Sequence, residues 1–479
     1  MKKILLITLL FPMICLGQKQ GNIWYFGNHA GVDFNTPTPS ALTNGATYFP
    51  TGSYNEGSSA ISDSSGNILF YSNGQKLWNK NGNVMPNGDS LLGNFSSTQS
   101  SVIVPLPGSS RFFYIFTVDD FWEDNEKYGF RYSIVDMCLD SGLGDVIIGK
   151  KNILLIDSTD EKVAAVRDSN GVDYWIITHK LNTDAFYSYL LTPTGISDTV
   201  ITHIGYIDTG AQGQLKVSPN GKKLAIAASQ AFVQPNQFGL YDFDKRTGVV
   251  SNFISLVAPS DADVYGVEFS PDNSKLYASY GAISPFGMGI VEYDISSGNQ
   301  TTINTSMTTV YQETTLSTLR GLQIGPNGKI YMVSLSNSGY LLAIDTPNNY
   351  GATCRIHDTA VFLGGKAGDE GMPTFITNYS YSNNLSNCAN EGINYISETE
   401  KILVYPNPAN NSFFVQIPTS SNAKKLILYN VTGRLVFEQQ IEEVQTIEVS
   451  SGELPAGVYF LKIQMSDGSN LMKKVEVGR

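Results

Sequence analysis

The sequence predicts an all-β chain, a seven-bladed β-propeller followed by a small Ig-like β-sandwich, and three observations carry that expectation. Glycine is abundant at 45 residues, while Asp, Glu, Lys and Arg together reach only 15%, against the roughly 25% usual for soluble domains. Such a composition suits turns and short strands better than charged helices. A strand–turn–strand pattern then recurs about every 52 residues through the body of the chain. The last stretch, from residue 403 onward, loses that period and holds several short strands of its own.

Three segments carry the repeat most clearly: Leu215-Lys-Val-Ser-Pro-Asn-Gly-Lys-Lys-Leu, Val267-Glu-Phe-Ser-Pro-Asp-Asn-Ser-Lys-Leu and Leu322-Gln-Ile-Gly-Pro-Asn-Gly-Lys-Ile-Tyr. Pro219, Pro271 and Pro326 preset φ at the first central turn position, and the Asn or Asp that follows has a side chain short enough to hydrogen-bond the turn backbone. About twenty residues on, each unit has a further strand ending in Asp242, Asp294 or Asp345. The prolines recur at intervals of 52 and 55 and the aspartates at 52 and 51, so two independent landmarks keep one period.

Weaker copies lie upstream, with turns at Asp63-Ser-Ser-Gly66, Pro107-Gly108 and Asp168-Ser-Asn-Gly171, each followed by an aromatic-rich strand. That makes six units. Asn22-Ile-Trp-Tyr-Phe26 and Pro373-Thr-Phe-Ile-Thr-Asn-Tyr379 read as lone strands at opposite ends of the array, suited to a composite seventh blade that closes the ring. Two tandem sandwiches would explain the strands but not the period.

At the N-terminus, Lys2 and Lys3 precede an apolar run too short to span a bilayer, ending in Cys15-Leu16-Gly17, so residues 1–17 read as a cleaved signal peptide. A lipid anchor at Cys15 is the rival reading, disfavoured by the bulky Ile14. No later segment is apolar and long enough for a transmembrane helix. With 31 basic against 43 acidic side chains the net charge is −12, which disfavours nucleic acid as a partner. The body is then expected over 18–388, a polar linker over 389–402, and the second domain over 403–479.

The second domain carries a resemblance. Tyr405-Pro406-Asn407-Pro408, the hairpin Leu428-Tyr-Asn-Val-Thr-Gly433-Arg-Leu-Val, the run Leu454-Pro-Ala-Gly457-Val-Tyr-Phe-Leu-Lys and the end Lys473-Lys474-Val-Glu-Val resemble the type A C-terminal sorting domain of the type IX secretion system of Bacteroidetes. The resemblance implies passage through the periplasm, recognition by the outer-membrane translocon, and a final location in the medium or on the outer-membrane surface. The body, through Asn22-Ile-Trp-Tyr-Phe-Gly, Ser62-Asp-Ser-Ser-Gly-Asn-Ile-Leu-Phe-Tyr, Trp78-Asn-Lys-Asn-Gly-Asn-Val-Met-Pro-Asn-Gly88 and Ser97-Thr-Gln-Ser-Ser-Val-Ile-Val-Pro105, is similar to the propeller of surface and gliding-associated proteins of the same bacteria.

Candidate chemistry is sparse. There is no Gly-x-Ser-x-Gly and no Cys-x-x-Cys, the four histidines, His29, His179, His203 and His357, are scattered, and His179 and His203 have no local partner that stands out. No catalytic residue or cofactor is assigned. The insertion Asp119-Asp120-Phe-Trp122-Glu123-Asp124 is the one candidate ligand loop: Trp122 could stack on a sugar and the acids could hold Ca²⁺, against the alternative of a solvated loop. Cys354 and Cys388 flank one segment near the end of the body and are the expected disulfide, while Cys138 reads as a buried small hydrophobe. Asp157-Ser-Thr, Asp198-Thr-Val and Asp358-Thr-Ala are similar to the O-glycosylation signal of Bacteroidetes. The expectation is a non-catalytic binding or adhesion module for an extracellular glycan or protein. The alternatives are a propeller hydrolase, lactonase or lyase acting on saccharides, and a structural part of the cell envelope.

Overall fold

The computed structural model describes residues 19–46, 55–121, 127–229, 237–259, 262–281, 287–313, 319–378, 403–405, 407, 409, 411–417, 423–441, 446–466 and 470–478. The expected leader, the linker and Cys388 lie outside these residues. The chain divides into two compact units, Met1–Glu391 and Gly392–Arg479.

Among the described residues of the first unit, strand pairing gives a succession of antiparallel sheets. Sheet 1 holds Ile23–Phe26, Ala30–Asp33 and Ser40–Leu42, and sheet 2 holds Ser58–Ser62, Ile68–Ser72 and Leu77–Asn79. Sheet 3 begins with Ser101–Pro105, Phe112–Thr117 and Phe130–Asp136, onto whose last strand Asp145–Val146 and Ile153–Ile156 both pair. Sheet 4 runs through Ala164–Arg167, Tyr174–His179, Ala185–Thr192 and Gly195–His203. Sheets 5, 6 and 7 are the three clear repeats, starting at Leu215–Val217, Asp263–Phe269 and Leu319–Ile324 and ending at Val249–Ser255, Thr308–Glu313 and Ile356–Phe362. This unit is nearly all β; its described α-helix is the short Gln300–Thr305.

Packing between sheets follows from the alternation of large and small side chains along each strand. Tyr25 of sheet 1 packs with Tyr71 and Trp78 of sheet 2, and Phe70 of sheet 2 with Phe113 of sheet 3. Phe130 of sheet 3 meets Tyr189 of sheet 4, with ring centroids 5.9 Å apart. Trp175 joins Leu224 across sheets 4 and 5, Leu240 joins Leu276 across 5 and 6, and Tyr277 joins Met332 across 6 and 7. Trp24 and Phe26 then pack with Tyr331 and Leu341, so sheet 7 lies against sheet 1. Each buried side chain of this size contributes on the order of 2 kcal/mol through lost water contact.

The repeat landmarks have a common geometric cause. In each clear repeat the turn residue after the Pro-Asx pair, Gly221, Asn273 or Gly328, has positive φ, and the Asx side chain accepts a backbone N–H: Lys222 N–H to Asn220, Ser274 N–H to Asp272, Lys329 N–H to Asn327. The lysine that opens the next strand then pairs with the periodic aspartate, Lys223 with Asp242 at 2.5 Å, Lys275 with Asp294 at 3.0 Å and Lys329 with Asp345 at 2.5 Å. Proline and aspartate keep the same period because the turn between the first two strands and the ion pair between the second and third lie side by side at one end of each sheet.

Closure differs from the expected composite blade. Gly27 and His29 adopt φ of 53° and 60°, which turns Ile23–Phe26 back onto Ala30–Asp33, so the first strand founds its own sheet. The C-terminal strand divides instead. Pro373 and Thr374 pair in parallel with Ser58 and Ser59 of sheet 2, and Ile376 and Thr377 in parallel with Ala165 and Val166 of sheet 4. The first strands of those sheets present an open edge, and this strap satisfies hydrogen-bonding groups that would otherwise be buried without partners.

The second unit is two antiparallel sheets about one core. Leu403–Tyr405, Ser412–Gln416 and Thr446–Ser450 form one; Leu435–Gln440, Ala423–Asn430, Gly457–Met465 and Asn470–Val477 form the other. Phe413, Val415, Leu426, Leu428, Leu461 and Val475 fill the space between them. The short strands expected from residue 403 onward lie here, and Gly433 has the positive φ, 79°, that closes the Asn430–Gly433 turn.

Candidate functional site

The first strands of successive sheets lie against one another from sheet 1 through sheet 7. Around them is a cavity of about 210 Å³ whose wall includes Trp24 of sheet 1, Gln99 just before sheet 3, Ala164 of sheet 4, Lys216, Glu268 and Gln323 of sheets 5, 6 and 7, and Thr374–Asn378 of the strap. Pro326 and Asn378 on this wall are exposed, so the cavity reaches solvent beside the repeat turns.

Its polar side chains form one connected set. The Lys216 ammonium donates to Gln323 Oε1 at 2.6 Å and lies 3.2 Å from Glu268 Oε2. Glu268 also accepts the backbone N–H groups of Phe269 at 2.9 Å and Ile324 at 3.0 Å. Burial draws the Lys216 ammonium below its ordinary pKa, and the neighbouring Glu268 carboxylate only partly offsets it. Gln99 Oε1 accepts the Leu215 N–H at 2.7 Å, while its Nε2 has no protein partner among the described residues.

Lys216, Glu268 and Gln323 hold one position of the repeat, three residues before Pro219, Pro271 and Pro326. They do not stand out in the sequence, because a polar residue between two apolar ones is what any half-buried strand shows. The missed signal is a polar residue at a fixed offset from the turn in three successive units.

Deeper groups are sealed. Glu161 accepts the Thr98 N–H at 3.0 Å and the Phe121 N–H at 3.2 Å, and burial, with Asp120 nearby, pushes its carboxyl up to about 8. Glu56 accepts a hydrogen bond from the Tyr265 hydroxyl, and Arg320 lies 3.2 Å from Glu370 and 4.5 Å above the Tyr265 ring. Burial raises both Glu56 and Glu370.

Asp160, His179 and Asp208 place one potential metal-ligating atom each within 4.8 Å of one another, all buried. Lys162 Nζ already serves both acids, 3.4 Å from Asp160 and 3.3 Å from Asp208, and donates to the Ala211 carbonyl at 2.6 Å. An ammonium therefore stands where a divalent ion would need those carboxylates. Burial takes the His179 imidazole down to about 4, leaving it neutral at pH 7, and takes Asp208 up to about 7.

The sequence-stated candidates fare unevenly. Asp119 and Asp120 are 1% and 0% exposed, so these two acids of the candidate ligand loop are interior residues. Asp119 instead accepts the Asp120 N–H at 2.9 Å and the Tyr128 N–H at 2.5 Å, holding together the two ends of the insertion. Trp122, Glu123 and Asp124 lie outside the described residues. The expected Cys354–Cys388 disulfide is corrected: Cys354 is a free, buried thiol, packed among Tyr277, Leu342 and Ile344, and burial pushes it up to about 11. Cys138 is the disulfide-bonded cysteine, its partner outside the described residues. His179 and His203 do have partners, Asp160 at 3.0 Å and Asp184 at 2.6 Å, each 19 residues away and brought near by strand pairing. Asp198-Thr-Val and Asp358-Thr-Ala lie on the last strands of sheets 4 and 7, with both threonines exposed.

In the second unit the two ends of the motif set meet. Asn407 donates to the Lys474 carbonyl at 3.1 Å and accepts the Glu476 N–H at 2.7 Å, while Ala409 bridges to Val477. Lys473 and Lys474 are exposed; Pro406, Pro408 and the Tyr405 side chain are outside the described residues. Residues 403–477 match the secretion system C-terminal sorting domain family. This sorting domain supports the chain as type IX secretion cargo, destined for the medium or the outer-membrane surface. No helix among the described residues is long and apolar enough to cross a membrane.

No curated protein matches the chain. Solved structures that resemble it include a putative 6-phosphogluconolactonase from Bacteroides uniformis, 15% identical, covering 73% of this chain and 98% of that one with a TM-score of 0.46. A periplasmic gluconolactonase from Pseudomonas aeruginosa is 12% identical over 89% of this chain and 98% of its own, TM-score 0.35. The extracellular domain of a putative hybrid two-component system from B. thetaiotaomicron is 10% identical over 96% of this chain and 56% of its own, TM-score 0.37.

Proposed function

We propose that the body, residues 18–388, is a seven-bladed propeller that works as a non-catalytic binding or adhesion module outside the cell, with the central cavity as its ligand seat. Residues 1–17 serve as the export signal, 389–402 as the linker, and the Ig-like sorting domain over 403–479 engages the type IX translocon. One observation carries the binding reading: a single repeat position supplies Lys216, Glu268 and Gln323 to one wall of a solvent-reaching cavity, already joined to one another. Such a constellation orients a ligand. The acid in it, Glu268, is held by two backbone N–H groups and an ammonium, which suits recognition better than proton transfer.

The test is a glycan and protein array probed with the full exported chain and with its Gln323→Leu variant. A ligand retained by the former and lost by the latter supports the reading. Turnover of a lactone or glycan by the wild-type chain, lost in the same variant, would move the assignment to the hydrolase alternative.

A further inference from the structure

We infer that the central cavity receives a single uncharged sugar ring, recognised through its hydroxyl groups. This rests on the binding reading above and names the chemistry of the ligand.

The size comes first. At about 210 Å³ the cavity is below the roughly 300 Å³ at which pockets for drug-sized ligands begin, so it suits one ring and not an extended chain. Charge comes next. Lys216 and Glu268 lie on the wall as a pair of zero net charge, with side chains 10% and 4% exposed. A carboxylate ligand would meet Glu268 and an ammonium ligand would meet Lys216, each at close range in a low-dielectric setting. A hydroxyl meets neither obstacle, because it accepts from the ammonium and donates to the carboxylate at once.

The donors supply the second, independent observation. Two of the three Lys216 protons are taken by Gln323 and Glu268, which leaves one for a ligand oxygen. Gln99, 1% exposed and on the same wall, has an Nε2 with no protein partner. A buried donor in that state carries a desolvation penalty until an acceptor arrives. Leu215, Ile324 and Ile376 give the remaining wall an apolar surface for the C–H face of a ring.

The experiment titrates the full chain with glucose, galactose, mannose, glucuronate and glucosamine, read by saturation-transfer NMR and calorimetry. At least one neutral hexose should bind, and glucuronate and glucosamine should bind more weakly than any hexose that does. Gln99→Leu should weaken the hexose about tenfold or more. So should the double variant Lys216→Met/Glu268→Gln, which leaves no unpaired charge, with its fold checked by circular dichroism and its melting temperature. Tighter binding of glucuronate, no binding of any neutral hexose, or full affinity in both variants would overturn the inference. If no hexose binds but an array ligand is retained and is lost in Gln323→Leu, the sugar assignment falls while the binding reading stands.

Discussion

Lys216 places its ammonium 2.6 Å from the Gln323 side-chain oxygen, a residue 107 positions away, and on the way passes 3.2 Å from Glu268. One lysine of sheet 5 is therefore tied to sheets 6 and 7. Removing it alone, as in Lys216→Met, leaves the Glu268 carboxylate buried without its cation and should cost about 3–5 kcal/mol. The double variant Lys216→Met/Glu268→Gln should recover part of that loss, since the charge is gone but one of the two backbone N–H groups held by Glu268 loses its acceptor. Urea unfolding of the four corners of the cycle checks it; a loss in the double variant equal to the sum of the two single losses would mean that the pair is not coupled.

Stability should depend on pH through the sealed carboxyls. Glu161 at about 8 and Asp208 at about 7 hold their protons in the folded state, while in the unfolded chain they release them near pH 4. The folded state then binds more protons between those limits, so the contribution of each group is full below about pH 4 and is lost as pH rises from there through about 7 to 8, by about 1.4 kcal/mol per pH unit. His179, lowered to about 4, acts in the other direction, and its contribution is lost as pH falls from about 6.5. The melting temperature should therefore fall from pH 6 to pH 8.5, and Glu161→Gln should flatten that slope. A slope unchanged in the variant would remove Glu161 as its source.

Two glycines allow elements to meet at van der Waals distance. A Cβ on Gly266 would lie 2.1 Å from the Arg320 carbonyl oxygen, and one on Gly371 would lie 1.0 Å from the Glu56 carbonyl oxygen. Alanine at either should cost about 1–3 kcal/mol or more. Gly339, with nothing near its Cβ position, is the matched control, and Gly339→Ala should stay within about 0.5 kcal/mol. Chemical denaturation compares the three variants.

Cys354 should resist thiol reagents in the native protein, because burial holds its thiol up to about 11 and closes access. Labelling with a chromogenic disulfide should proceed only on addition of denaturant. Fast native labelling at Cys354 would contradict the buried placement.

Deleting residues 403–479 should leave the truncated chain in the periplasm, since the sorting domain is the export label. Cell fractionation with an antibody to the body reads the result; surface delivery of the truncation would sink the assignment.

Legibility in the sequence followed chain locality. Pro219, Pro271 and Pro326 and the aspartates Asp242, Asp294 and Asp345 could be read because three consecutive paired strands bring turn and ion pair together within about twenty residues of chain. The tail strands were readable for the same reason, each alternating over a short span between turns. The cavity was not readable, since the Gln99–Leu215 bond and the Lys216–Gln323 bond span 116 and 107 positions. Nor was the thiol pairing: proximity in sequence said nothing about Cys354, which the short 3-10 turn Gly351–Cys354 places in the core.

The strap at Pro373–Thr377 sets an order of events. Its partners, Ser58–Ser59 and Ala165–Val166, emerge from the ribosome some two to three hundred residues before it does. The inner edges of sheets 2 and 4 must wait, incomplete, until the body has been almost wholly synthesised. The fastening arrives last, immediately ahead of the label that sends the chain abroad, so any product truncated before residue 373 exposes its own defect.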